Sequence, residues 1–186
     1  MVLIMIGALI FSCTPETSEE SQLYELRGLI EDQINLLETS KMKVKRITLL
    51  NDVRDTVILD SLDWEKELAT LASLDLNTSK YRDDYEVYEG QKAGSNYISY
   101  YIATERNFSG IQSLYVYYEE DPMKPDRIEL QQRASNMVYD SFNEYKIDFE
   151  NVNGQHKIVK MFLTGHQDLM LKAPVEYEIE TVLEFE

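Results

Sequence analysis

The chain has 186 residues, with 34 Asp and Glu against 18 Lys and Arg, and its net charge of -16 repels phosphate backbones, which excludes nucleic acid as a partner. One cysteine permits no disulfide within the chain and no thiolate metal site, and two histidines leave few ligands for zinc. The length suits a single domain with a real hydrophobic core.

The run from Met1 to Phe11 is uncharged and apolar on every side, and Ser12-Cys13 closes it. A bilayer-crossing helix needs about 20 apolar residues, so this run is too short to span. It has the length of a signal-peptide apolar region that ends at a small residue. Ile10-Phe11-Ser12-Cys13 resembles the lipobox of bacterial lipoproteins, in which the cysteine thiol is acylated and becomes the new N-terminus. That resemblance implies a signal peptide over residues 1–12, a lipid anchor on Cys13 and an acidic tether over 13–21, with the membrane as a partner through the lipid. The alternative is a buried apolar segment with a free cysteine, since no Lys or Arg precedes Arg27 where export signals carry a basic region. Glu16, Glu19 and Glu20 resemble the surface-export signal of lipoproteins from the Bacteroidota. The resemblance places the chain in the bacterial cell envelope, at the outer membrane, with the periplasmic and surface faces both open.

Residues 22–186 read as one domain, helical over 22–80 and sheet-forming over 81–186. Leu23, Leu26, Ile30, Ile34 and Leu37 recur at three- and four-residue steps and predict an amphipathic helix, packed on its own domain or against a partner helix. Val44, Arg46, Thr48 and Leu50 then alternate with Lys43, Lys45 and Ile47, and Asn51-Asp52 can turn the chain into Val57-Ile58-Leu59. A short hairpin is the expectation, with a continued helix through Val53 as the rival. The basic cluster Lys41, Lys43, Lys45, Arg46 and Arg54 either meets an acidic partner or balances acidic neighbours. Asp60-Ser61 starts a second helix, whose apolar face is Trp64, Leu68, Leu71 and Ala72. Asp63-Trp64-Glu65-Lys66-Glu67-Leu68, followed by Asp75-Leu76-Asn77-Thr78-Ser79-Lys80 and by Tyr81 or Tyr85, resembles uncharacterised lipoproteins of the Bacteroidota. In these a D-W-x-K-E-L helix leads into a D-I-N-K-like turn. The resemblance implies a lineage and an envelope location, and no activity.

Beyond Asp83 the sequence predicts strands. Residues 97–102 and 114–118 are rich in tyrosine and β-branched side chains. Strands follow over 127–133, 136–142 and 144–149, and Asn153-Gly154 is the strongest hairpin signal, leading into 157–163. Thr164-Gly165 reads as a bend before 169–171, and Pro174 as a break. In the final strand Val175, Tyr177, Ile179, Thr181, Leu183 and Phe185 face one way and a row of glutamates the other, so one face is apolar and the other acidic. The fold expected is therefore α+β, with N-terminal helices packed on one face of a curved, mainly antiparallel sheet of about five to seven strands.

The chain offers little chemistry. No H-E-x-x-H, G-x-S-x-G or phosphate-loop glycine pattern occurs, and no catalytic residue, cofactor or metal is expected. His156 is expected in solvent beside the Asn153-Gly154 turn. His166 is expected at a surface bend, as a ligand contact or half of an acid–base pair. Thirteen tyrosines suggest stacking surfaces, and Tyr100, Tyr115, Tyr117 and His166 are the candidate ligand-binding residues. The expectation is a non-enzymatic binding or interaction module whose partner is a protein, a glycan or a lipid. The alternative is an envelope hydrolase in which paired carboxylates converge in a cleft near His166 or Arg106.

Overall fold

A computed structural model describes residues 22–78, 82–104 and 109–186. Cys13, Tyr81 and Arg106 lie outside the described residues. Among the described residues strand accounts for 58% and helix for 15%, which overturns the α+β expectation: the fold is β-rich, and its described α-helices are two short elements. Helix α1 spans Leu26–Glu38 and α2 spans Trp64–Ala72. Nine strands form one antiparallel sheet: β1 Met42–Leu50, β2 Val53–Leu59, β3 Tyr85–Ala93, β4 Asn96–Ala103, β5 Gly110–Tyr118, β6 Arg127–Ser135, β7 Tyr139–Val152, β8 Gln155–Leu169 and β9 Val175–Phe185. Their spatial order is β2-β1-β9-β8-β7-β6-β5-β4-β3, a meander from β3 to β9 extended by the β1–β2 hairpin.

The β1–β2 hairpin turns at Asn51-Asp52, both with positive φ, and β7–β8 at Asn153-Gly154, as the Asn-containing pairs suggest. The segments expected as separate strands over 136–142 and 144–149 are the single strand β7. Likewise Gly165 does not bend the chain, because β8 runs through it to Leu169. Helix α2 begins one turn later than Asp60-Ser61 implies, capped by the Asp63 side chain, which accepts the Lys66 amide at 3.1 Å.

Alternation along the strands divides the sheet into two faces. One carries Val44, Thr181, Leu183, Ile147, Ile128, Leu130, Leu114, Val116 and Tyr101, all buried, and both helices lie on it. Gln33, 2% exposed in the middle of α1, fastens that helix to β8. Its side chain donates to the His156 carbonyl at 3.0 Å and accepts the Ile158 amide at 2.8 Å. Leu68 and Leu71 of α2 sit over Tyr145, Ile147 and Leu163, leaving only about 60 Å³ between helix and sheet. Arg46 and Glu67 close this layer with an ion pair at 2.6 Å.

Candidate functional site

The other face of the sheet carries no helix among the described residues, and there the register lines up a row of side chains. Tyr88, Tyr100 and Tyr115 stand directly opposite one another on β3, β4 and β5. Their rings stack, with centroids 4.6 Å apart between Tyr88 and Tyr100 and 5.7 Å apart between Tyr100 and Tyr115. The row continues through Glu129, Lys146, Phe162 and Glu180. The Lys146 ammonium pairs with the Glu129 carboxylate at 3.1 Å, and the Tyr117 hydroxyl donates to the other Glu129 oxygen at 3.4 Å. Burial, with Glu129 close by, raises the Tyr117 phenol above its ordinary range.

The neighbouring row supplies an ordered polar strip. Ser113 Oγ donates to Gln131 Oε1 at 3.2 Å, and Gln131 Nε2 donates to Glu144 Oε1 at 2.6 Å. Between the two rows lies a depression of about 250 Å³, with Tyr115 and Phe162 among its lining and Gln131, Glu144 and Thr164 as polar groups. A second depression, of about 370 Å³, shares Glu144 and Thr164 with the first and continues to Phe142, His166, Glu176 and Glu178. The His166 ring stacks on Phe142 at 6.1 Å.

Of the four expected ligand contacts, Tyr100 and Tyr115 therefore touch, and Tyr117 stands one row away on the same face. His166 lies at the far end of the connected trough, on an unbroken strand rather than at a bend. His156 is half-buried rather than free in solvent: its ring stacks on Phe149 at 5.5 Å and its Nε2 meets the Pro125 carbonyl at 2.8 Å, a structural role. The tyrosine clusters are split by the pleat, since Tyr97, Tyr101 and Tyr118 turn to the helix side, where Tyr118 and Ser99 share a hydrogen bond of 3.1 Å. Phe162, Gln131, Glu144 and Thr164 were not legible as site residues. Their signal is period-two alternation on β6, β7 and β8, and only the pairing register shows that these alternate sets meet.

A cleft of about 590 Å³ also opens on the helix side, beside Leu23, Tyr24, Tyr101, Tyr118 and Met123. It borders Gln22, where the described residues begin. The phenols at its wall are satisfied, Tyr101 donating to Glu89 and Tyr24 to the Pro122 carbonyl, both at 2.9 Å.

Among the described residues no group of three His, Cys, Asp or Glu is placed to hold a metal ion. No described helix is long and apolar enough to cross a membrane. No family model matches the sequence, and neither a curated protein nor a solved structure matches the chain.

Proposed function

We propose that this protein is a non-enzymatic binding module of the bacterial cell envelope. It is tethered at the outer membrane by a lipid on Cys13 and holds an uncharged glycan along the helix-free face of its sheet. The observation that carries this reading is the stacked Tyr88–Tyr100–Tyr115 ladder running into the depression between Tyr115 and Phe162. The stacked rings present their edges, and the ladder its end faces, to the C–H groups of sugar rings, and the Gln131–Glu144 strip offers hydrogen-bond partners at fixed positions for hydroxyl groups. The close packing of α2 on the opposite face leaves no open apolar hollow between that helix and the sheet, which disfavours a lipid held there. A net charge of -16 disfavours anionic glycans.

The test is a glycan array followed by calorimetry on residues 22–186. Tyr115→Ala and Tyr100→Ala should each weaken binding of a neutral oligosaccharide about tenfold or more while the thermal midpoint stays within a few degrees. No neutral glycan bound, or binding indifferent to both changes, would sink the proposal. The trough around His166 favours a second reading, a hydrolase using Glu144, Glu176 or Glu178. These carboxylates are exposed to water, whereas acid–base catalysis draws its strength from a site that excludes it. Release of reducing ends that vanishes in Glu144→Gln would decide for that reading.

A further inference from the structure

The two edges of the sheet are not alike. Strand β3 is interrupted by a bulge between Tyr88 and Gln91, where Gly90 takes a positive φ, and such irregularities blunt an edge against pairing. Strand β2 at the other edge has seven residues, no proline and no bulge, and pairs without a break to β1. No described element covers its outer side. Val53 is 71% exposed and Ile58 69%.

The direction of its free groups follows from the ladder. The Asn51 amide donates to the Glu176 carbonyl of β9, so odd residues of β1 face β9 and even ones face β2. Their partners Val53, Asp55 and Val57 therefore bond to β1, while Arg54, Thr56 and Ile58 turn their amides and carbonyls outward. The Thr56 amide is held at 2.8 Å by the Asp55 carboxylate, as expected of an N–H without a ladder partner.

We propose that β2 pairs antiparallel with β2 of a second copy of this chain, joining two nine-stranded sheets edge to edge. Only registers that pair even residues with even ones keep like faces together. Centring the pair on Asp55 sets that carboxylate against itself, and centring it on Thr56 sets Asp52 against Asp60. Centring on Val57 instead sets Thr56 opposite Ile58 and brings Arg54 opposite Asp60, the first residue beyond β2, twice, once on each side of the axis. This is the register with charge complementarity, and it lies at the hairpin that holds the chain's basic cluster, which lessens the repulsion between two copies of charge -16. The two-fold axis stands perpendicular to the sheet. Both helix layers, and with them both chains at Gln22, then lie on one side, which suits two copies tethered in a single membrane.

The test is sedimentation equilibrium of residues 22–186 up to about 0.5 mM, where mass action populates a dimer of micromolar to sub-millimolar Kd. The wild type should show a monomer–dimer equilibrium. Thr56→Pro removes an outward amide that β1 does not use, so it should give a monomer of unchanged circular dichroism. Arg54→Asp and Asp60→Arg should each weaken the dimer about tenfold, and the double exchange should restore it. A wild type that stays monomeric overturns the proposal, as does a dimer untouched by Thr56→Pro. Failure of the double exchange to rescue overturns the Val57-centred register. None of these results depends on whether the tyrosine face binds a glycan.

Discussion

Gly165, in the middle of β8, gives the sharpest stability test because its φ lies outside the left-handed region and the backbone would accept alanine. What forbids a side chain is space. A Cβ built there meets the Asn143 side-chain oxygen Oδ1, and stands 2.7 Å from the Tyr177 hydroxyl and 2.8 Å from Tyr177 Cζ. Those two side chains hydrogen-bond to each other across β7 and β9, over the glycine. Gly165→Ala must push Tyr177 aside, an overpacking cost of about 1–3 kcal/mol, and it also strains a hydrogen bond worth about 1 kcal/mol. Against this, alanine in a strand gains about 0.5–1 kcal/mol over glycine. The net loss is about 1–3 kcal/mol, or roughly 2–12 °C in thermal midpoint for a domain of this size. The assay is thermal and urea unfolding in two backgrounds. In the Asn143→Ala/Tyr177→Ala protein the space is empty, so Gly165→Ala should be neutral or stabilising. An equal loss in both backgrounds would refute the steric argument, as would no loss in the wild type.

Other consequences are as direct. Gln33→Ala strips partners from the His156 carbonyl and the Ile158 amide at a buried seam, and urea unfolding should show a loss of about 2–4 kcal/mol, against almost none for the exposed Asn35→Ala; equal effects would remove Gln33 as the fastener of α1. Asp52→Gly relieves a positive φ of 69° in the β1–β2 turn and should raise the thermal midpoint by about 1–4 °C, whereas a fall would show that the aspartate holds the turn. Burial pushes the Tyr145 phenol up to about 12 and holds those of Tyr24 and Tyr101 well above the ordinary range. Because the folded state keeps these protons longer than the unfolded one, stability is intact below pH of about 10 and falls from there upward, by about 1.4 kcal/mol per pH unit for each phenol retained. Tyr145→Phe should flatten that fall, and urea midpoints between neutral pH and pH of about 11 would reveal any failure to do so.

Local signals were legible where one residue dictates backbone geometry or one periodicity runs unbroken. Asn51-Asp52 and Asn153-Gly154 marked the β1–β2 and β7–β8 hairpins because few residues adopt positive φ cheaply. The alternation from Val175 to Phe185 marked a strand with one buried face, and Thr181 and Leu183 are buried as that pattern requires. The balance of helix and sheet was not legible. Strand β3, Tyr85–Ala93, carries glutamates and glycine on a largely exposed edge and so shows no apolar alternation. Gly165 misled for a related reason: glycine signals flexibility in a sequence, but here it makes room for Tyr177 and Asn143. The tyrosine ladder needed Tyr88, Tyr100 and Tyr115 to fall opposite one another on three strands, and pairing register is a property of the assembled sheet.

One consequence of the strand order concerns how the chain reaches this state. From β3 to β9 every pairing is between neighbours in sequence, and β1–β2 is a hairpin of its own, so these parts can zip locally. The seam between them joins Met42 to Phe185 and Leu50 to Tyr177. Its loop closure spans nearly the whole described chain, and contacts of that kind are the slow ones in folding. Until β9 arrives, the β1–β2 ribbon has no strand to join on the inner edge of β1. A growing chain therefore carries its first hairpin with an open inner edge until a much later strand is delivered, and that interval is when mispairing of β1 is least opposed.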